Sequence, residues 1–197
     1  MPPAFKGIIF DMDGTLTVPI IDFIKIRTAL NIPSDRDLSE EINSRPEPLR
    51  SEGWQLIEAF EEEAARNNRF QPGAPETLNR FKNAGIRLGI ITRNRLANCK
   101  ILFDELDVSF EPVLTREFPF IKPSPEPCQH IIEQWGLEPH ECLMVGDYVH
   151  DLECGAGAGT KTCFFSNPGK EDFSVHADYT VTTFAELEKG VFDKWTD

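Results

Sequence analysis

Asp11 and Asp13 stand two positions apart in the stretch FDMDGTLT (residues 10–17), directly behind the apolar run GIIF and ahead of Gly14. Two carboxylates held that close repel each other unless a cation or a shared proton lies between them. Further polar groups follow short apolar runs later in the chain: Thr92, Arg93 and Asn94 after LGII, Lys122 in FIKPSP, and Asp147 and Asp151 in VGDYVHD. Together they contain what transfer of a phosphoryl group requires. A carboxylate such as Asp11 can attack phosphorus and carry the group as an aspartyl-phosphate, dividing one hard displacement into two easier ones. The meeting of two anions needs charge compensation, which a hard divalent cation, typically Mg²⁺, supplies when held by carboxylate oxygens. Asp11 and Asp147 could supply those oxygens, with Asp151 as a further or outer ligand. The Thr92 hydroxyl and the backbone N–H groups of the turn after it can donate to phosphoryl oxygens, with Arg93 and Asn94 as additional candidates for the substrate phosphate. Lys122 can neutralise charge that builds as the bond to the leaving group breaks. Asp13 is placed to give the leaving oxygen a proton and later to take one from water. Gly14 allows the sharp turn that keeps both carboxylates on one side.

These groups need a scaffold that brings distant segments to one edge. Residues 6–10, 86–92, 110–115, 141–147 and 160–165 read as strands, with 178–181 as a short edge strand. Helical patterns cover 75–85, 94–106, 124–136 and 152–159. Strands that are apolar throughout and separated by helices imply parallel crossovers and a sheet covered on both faces. The expected fold class is therefore α/β, a doubly wound parallel sheet of Rossmann-like type. In such sheets ligands bind beyond the carboxyl ends of the strands, which is where all four polar groups fall. Residues 18–71 break the alternation with three helical signals punctuated by prolines at 19, 33, 46, 48, 72 and 75, and Ser34 fits an N-cap ahead of the second. The chain is thus expected to hold a core domain, 1–17 with 72–197, and a small helical cap, 18–71. A cap of this size should have little core of its own and lean on the main domain.

The motifs DMDGT (11–15), ITRN (91–94), KPSP (122–125) and GDYVHD (146–151) resemble, in order and spacing, the four motifs of the haloacid dehalogenase-like superfamily. The resemblance covers nearly the whole chain outside the insertion. The place of the insertion, after the first motif, is similar to the subgroup that includes phosphoglycolate phosphatase-like and β-phosphoglucomutase-like enzymes. The resemblance implies Asp11 as nucleophile and metal ligand, and Asp13 as acid/base whose backbone carbonyl also binds Mg²⁺. It further implies Thr92 and Lys122 as phosphate-binding groups, with Asp147 and Asp151 in the metal site. Two departures stand out: the insertion is shorter than the caps of well-known relatives, and Tyr148 occupies a position where a small residue often follows the first Asp of the fourth motif.

Composition narrows the alternatives. A chain of 197 residues with 40% hydrophobic and 27% charged content describes an ordinary globular protein. The formal charge of −13 argues against nucleic acid as a partner. No segment approaches the length of a membrane span and no secretory signal opens the chain, so the expected address is cytoplasmic. The five cysteines form no CxxC pair and read as reduced, buried small hydrophobes. His150 lies inside the fourth motif, but Mg²⁺ prefers oxygen, and a solvent-facing loop position is expected for it. The expected activity is Mg²⁺-dependent hydrolysis of a small phosphorylated metabolite. A phosphomutase and a non-catalytic phosphometabolite-binding protein are the alternatives; halide displacement is disfavoured because Asp13, Asp147 and Asp151 are all present.

Overall fold

The computed structural model describes residues 3–104, 106–193 and 195. In chain order its elements are β1 (Gly7–Phe10), α1 (Phe23–Leu30), α2 (Leu38–Asn43), α3 (Leu49–Asn67), α4 (Ala74–Asn83), β2 (Arg87–Ile91), α5 (Leu96–Phe103), β3 (Val113–Leu114), α6 (Glu126–Trp135), β4 (Cys142–Gly146), α7 (Val149–Gly157), β5 (Lys161–Phe165), β6 (Tyr179–Val181) and α8 (Phe184–Asp193). They divide into two compact units, Ile20–Asn68 and the remainder of the chain on either side of it.

The larger unit is built on one six-stranded sheet of order β3-β2-β1-β4-β5-β6 in which every neighbouring pair is parallel. β1 is buried along its whole length because both of its faces are covered. Ile8 and Phe10 point to one face, packing with Leu78 and Phe81 of α4 and Phe184 and Leu187 of α8. Ile9 points to the other, where Ile131, Ile132 and Trp135 of α6 and Cys154 of α7 meet it. The chain winds outward from β1 to β3 on one side and from β4 to β6 on the other, so the order reverses between β1 and β4. Phe10 stands in register with Val145, which places the residues that follow these two strands side by side at the switch point.

The sheet matches the expected α/β class, with two local differences. The third strand is only Val113–Leu114, although Phe110 still contributes to the core. α8, over residues where the sequence expectation includes no helix, closes one face of the sheet. All five cysteines are free and buried, in line with the expectation for them.

The smaller unit, Ile20–Asn68, holds α1, α2 and α3. It departs from the expectation of a nearly coreless insertion: Ile21, Ile26, Ile32, Leu38, Ile42, Ile57 and Ala64 are buried together, with Leu30, Trp54 and Phe60 against them. α2 is capped by Asp37, whose carboxylate accepts from the N–H groups of Ser39 and Glu40, and not by Ser34. The boundaries also lie inside 18–71. Val18 N–H donates to the Arg69 carbonyl at 3.0 Å and Gln71 N–H to the Leu16 carbonyl at 2.8 Å, while Thr17 and Phe70 form an antiparallel bridge, so the entering and leaving segments pair as part of the larger unit. Among the described residues no helix is long and apolar enough to cross a membrane.

Candidate active site

Asp11 is the first residue beyond β1, and its N–H donates to the Val145 carbonyl at 2.9 Å. That bond extends the β1–β4 ladder by one residue and fixes where the Asp11 side chain emerges. From β4 the chain continues through Gly146 to Asp147 and then enters α7, which carries Asp151 in its first turn. A Cβ at position 146 would overlap the Asp151 side chain, so glycine there lets the first turn of α7 close down on the strand end. The Asp151 carboxylate also accepts from the Tyr148 N–H at 3.0 Å, as an acidic group does at a helix N-terminus.

Asp11, Asp147 and Asp151 each present an oxygen within 4.8 Å of the others, the one such grouping of metal-ligating side chains among the described residues. Into this group reaches Lys122, which is 3% exposed. Its Nζ lies 2.5 Å from Asp11 Oδ1 and 2.5 Å from Asp151 Oδ1, and it donates to the Ile91 carbonyl at 2.9 Å. All three donors of the ammonium are thereby used.

One ammonium does not balance this many carboxylates, and their titration reflects it. Burial pushes Asp11 up to about 7 despite the attraction of Lys122, with Asp151 and Asp13 adding repulsion. Burial likewise raises Asp13, against the hydrogen bond that Asn94 gives it. Asp147 is driven well above the carboxylate range by burial first and then by Asp11 and Asp151. Burial acts to lower Lys122, but the adjacent Asp11 and Asp151 more than reverse this and hold its ammonium above the usual lysine value. Proton uptake is one way to relieve such a cluster, and a divalent cation is another. The donor set consists of carboxylate oxygens alone, without sulfur or imidazole, which fits a hard ion such as Mg²⁺ and does not fit zinc.

The remaining sequence-predicted residues surround this group at the same sheet edge. Thr92 follows β2, and its Oγ1 accepts from the Asn94 N–H at 3.0 Å, which leaves the hydroxyl proton to donate elsewhere. Asn94 differs from its expected place among phosphate-binding groups. Its Oδ1 accepts from the N–H of Arg95 and from Asn98 Nδ2, both at 2.8 Å, so its Nδ2 is turned onto Asp13 Oδ2 at 2.9 Å. Its amide thus orients Asp13. Arg93 donates from Nη1 to His150 Nδ1 at 3.0 Å, so that nitrogen carries no proton. His150 itself lies in the first turn of α7, not in a solvent-facing loop.

Two buried residues of this region were not anticipated. Gly14 has φ +93°, and a Cβ there would collide with the Asp147 carboxylate, so Asp147 lies directly against the turn that follows Asp13. The Gly14 carbonyl accepts from Asn167 Nδ2 at 2.7 Å and from Gln71 Nε2 at 3.3 Å. Asn167 sits two residues beyond β5, so the rule that ligands gather past strand ends would have pointed to it; no local pattern marks Gln71.

Comparison with known proteins gives a consistent picture. The sequence profile described as haloacid dehalogenase-like hydrolase matches residues 8–165. A haloacid dehalogenase-like hydrolase domain-containing protein of Arabidopsis thaliana is 33% identical over 201 residues, covering 93% of this chain and 82% of the relative. An N-acetylmuramic acid 6-phosphate phosphatase of Pseudomonas aeruginosa is 29% identical over 183 residues, 80% of each protein. Among solved structures, a predicted phosphoglycolate phosphatase from Haemophilus somnus superposes with a TM-score of 0.73 at 22% identity, covering 94% of this chain and 97% of that one. The last likeness shows the fold.

Proposed function

We propose, because this chain belongs to the haloacid dehalogenase-like hydrolase family, that it is a Mg²⁺-dependent phosphatase hydrolysing a small phosphate monoester through an aspartyl-phosphate on Asp11. The observation that carries the reading is the buried group at the switch point: three carboxylates able to share one cation, with the Lys122 ammonium between two of them. The relative named as an N-acetylmuramic acid 6-phosphate phosphatase, which acts on a phosphate ester, supports the same reaction class.

In this reading Asp11 and Asp147 hold the ion with Asp151 beside them, and the Asp13 backbone carbonyl adds an oxygen. When bound, Mg²⁺ offsets the negative charge that otherwise keeps a phosphate dianion from a carboxylate. The Thr92 hydroxyl donates to the phosphoryl oxygens, Lys122 turns onto them the donor it otherwise gives Asp11, and the carboxylate so freed attacks phosphorus in line with the ester bond. As that bond breaks, Asp13 passes its proton to the leaving alkoxide. Asn94 keeps the Asp13 carboxyl aimed, and burial shifts its pKa upward, which favours the protonated form that donates. Asp13 then takes a proton from the water that attacks the aspartyl-phosphate, which releases inorganic phosphate and restores Asp11. The helical unit Ile20–Asn68 is assigned the role of a cap that selects the leaving group. The five buried free thiols suit a cytoplasmic setting, where they remain reduced.

Hydrolysis of p-nitrophenyl phosphate tests the reading. Activity should require Mg²⁺ and fall by at least about 10³-fold in Asp11→Asn, with the circular dichroism spectrum unchanged. Full activity in Asp11→Asn would show that Asp11 is not the nucleophile.

A further inference from the structure

Asp147 comes from the loop after β4, and its carboxylate is gripped from two sides. On one side is the Cα of Gly14, whose backbone conformation leaves no room for a Cβ. On the other is Asn167, buried at 7% exposure, whose Nδ2 lies 3.3 Å from Asp147 Oδ2 and 2.7 Å from the Gly14 carbonyl. The orientation of this amide is forced. Gly14 O and Asp147 Oδ2 both require a donor, while the opposite end of Asn167 meets Gln71 Nε2 at 2.9 Å and must accept. Gln71 is itself buried at 9% exposure, and its Nε2 divides between Asn167 Oδ1 and Gly14 O. The Gln71 backbone is tied to the other end of the same turn through its N–H on the Leu16 carbonyl at 2.8 Å. Segments 57 and 96 residues from Gln71 therefore meet in one closed network beside the carboxylate. None of these partners can be replaced by water without opening a buried site.

We infer that Asn167, held in orientation by Gln71, is the positioning residue for Asp147: it fixes one carboxylate oxygen against the Gly14 turn and so presents the other to the cation. This rests on the proposed role of Asp147 as a metal ligand. Outer partners of this kind orient ligands that would otherwise lose binding free energy to rotation, and their removal costs about 10- to 100-fold in metal affinity or activity. The device also explains why an amide stands here. A carboxylate would repel Asp147 and the Gly14 carbonyl, and an apolar side chain would take the amide donor from Asp147 Oδ2 and leave the Gly14 carbonyl only the longer bond from Gln71.

Mn²⁺ is a suitable probe, because its binding to the whole protein is read directly by electron paramagnetic resonance without turnover. Asn167→Leu should weaken the Mn²⁺ dissociation constant by about 10- to 100-fold. Gln71→Leu, which removes the donor that orients Asn167 together with the longer bond to the Gly14 carbonyl but leaves Asn167 itself in place, should weaken it by about three- to tenfold. Both constants are to be measured at a temperature where thermal unfolding in EDTA shows each variant folded, so that a general loss of stability does not enter. With p-nitrophenyl phosphate, the Mg²⁺ concentration for half-activation should rise in parallel while KM at saturating Mg²⁺ stays within about twofold. Wild-type protein that binds Mn²⁺, loses it in Asp147→Asn and keeps it within twofold in both Asn167→Leu and Gln71→Leu would overturn the positioning role alone. Wild-type protein that does not bind Mn²⁺ would overturn the metal reading and this inference with it.

Discussion

Lys122 Nζ lies 2.5 Å from Asp11 Oδ1 with both side chains buried, so the proposed nucleophile and the ammonium proposed to hold the phosphoryl oxygens are each other's direct partner. The same ammonium reaches Asp151, and its removal would strand two buried carboxylates at once. Lys122→Met should therefore lower stability in EDTA at pH 8 by about 3–5 kcal/mol, the cost of breaking a buried pair from one side. Urea unfolding measures it. The loss should shrink at pH 5.5, where a raised Asp11 can take up a proton instead; a change under about 1 kcal/mol at pH 8 would mean that the pair carries no such weight.

The raised Asp11 gives a linked effect of pH and metal. A carboxyl whose pKa is higher in the folded chain binds more protons there than in the unfolded chain. Its contribution is full below the unfolded value, near 3.8, and is lost as pH rises through about 7. Cation binding requires the deprotonated form, so Mg²⁺ should restore stability where protons no longer do. The increase in thermal midpoint produced by Mg²⁺ is expected to be small at pH 5.5 and larger at pH 8. Carboxylates elsewhere with lowered values titrate in the opposite sense, but they cancel when the midpoints with and without Mg²⁺ are subtracted at each pH. An increment independent of pH would contradict the assignment of the ion to this cluster.

Asn94 makes a separable prediction. Its hydrogen bond opposes the effect of burial on Asp13, so Asn94→Leu should raise the Asp13 carboxyl further. With an alkyl phosphate, whose leaving oxygen needs a proton, the alkaline limb of the kcat profile should move to higher pH. The value of kcat at its optimum should fall about 10- to 100-fold, because the acid is less well aimed. With p-nitrophenyl phosphate, whose leaving group departs without a proton, the fall should be smaller. Equal losses on both esters would place Asn94 on the phosphoryl group, as the sequence pattern first suggested.

The site was largely legible in the sequence because each of its charged groups follows an apolar strand, and parallel strands bring their carboxyl ends together. Asp11 after GIIF and Asp147 after CLMV needed only the knowledge that β1 and β4 are neighbours. What stayed hidden depends on contacts between distant segments. Asn167 and Gln71 are 96 residues apart and meet only because the chain returns from the helical unit beside Gly14. The core of that unit escaped notice for a related reason. Its buried residues, from Ile21 to Ala64, are spread over two short helices, one long one and the segments flanking α1, so no single stretch carries the core by itself. α8 has a legible pattern, since Phe184, Leu187 and Val191 recur at helical spacing, but it follows the last strand and is no crossover between strands. The role of Asn94 turned on which end of its amide Arg95 and Asn98 occupy, a choice no spacing encodes.

In the proposed reaction Asp11 carries the phosphoryl group during turnover. The most direct measurement is acid quenching of the protein in mid-turnover with Mg²⁺ and p-nitrophenyl phosphate, followed by mass spectrometry of the peptide that contains Asp11. One phosphoryl group is expected on Asp11, labile to hydroxylamine and missing from Asp11→Asn, which should release no phosphate. Sustained phosphate release by Asp11→Asn, or a phosphoryl group found on another residue of the active wild-type protein, would contradict it.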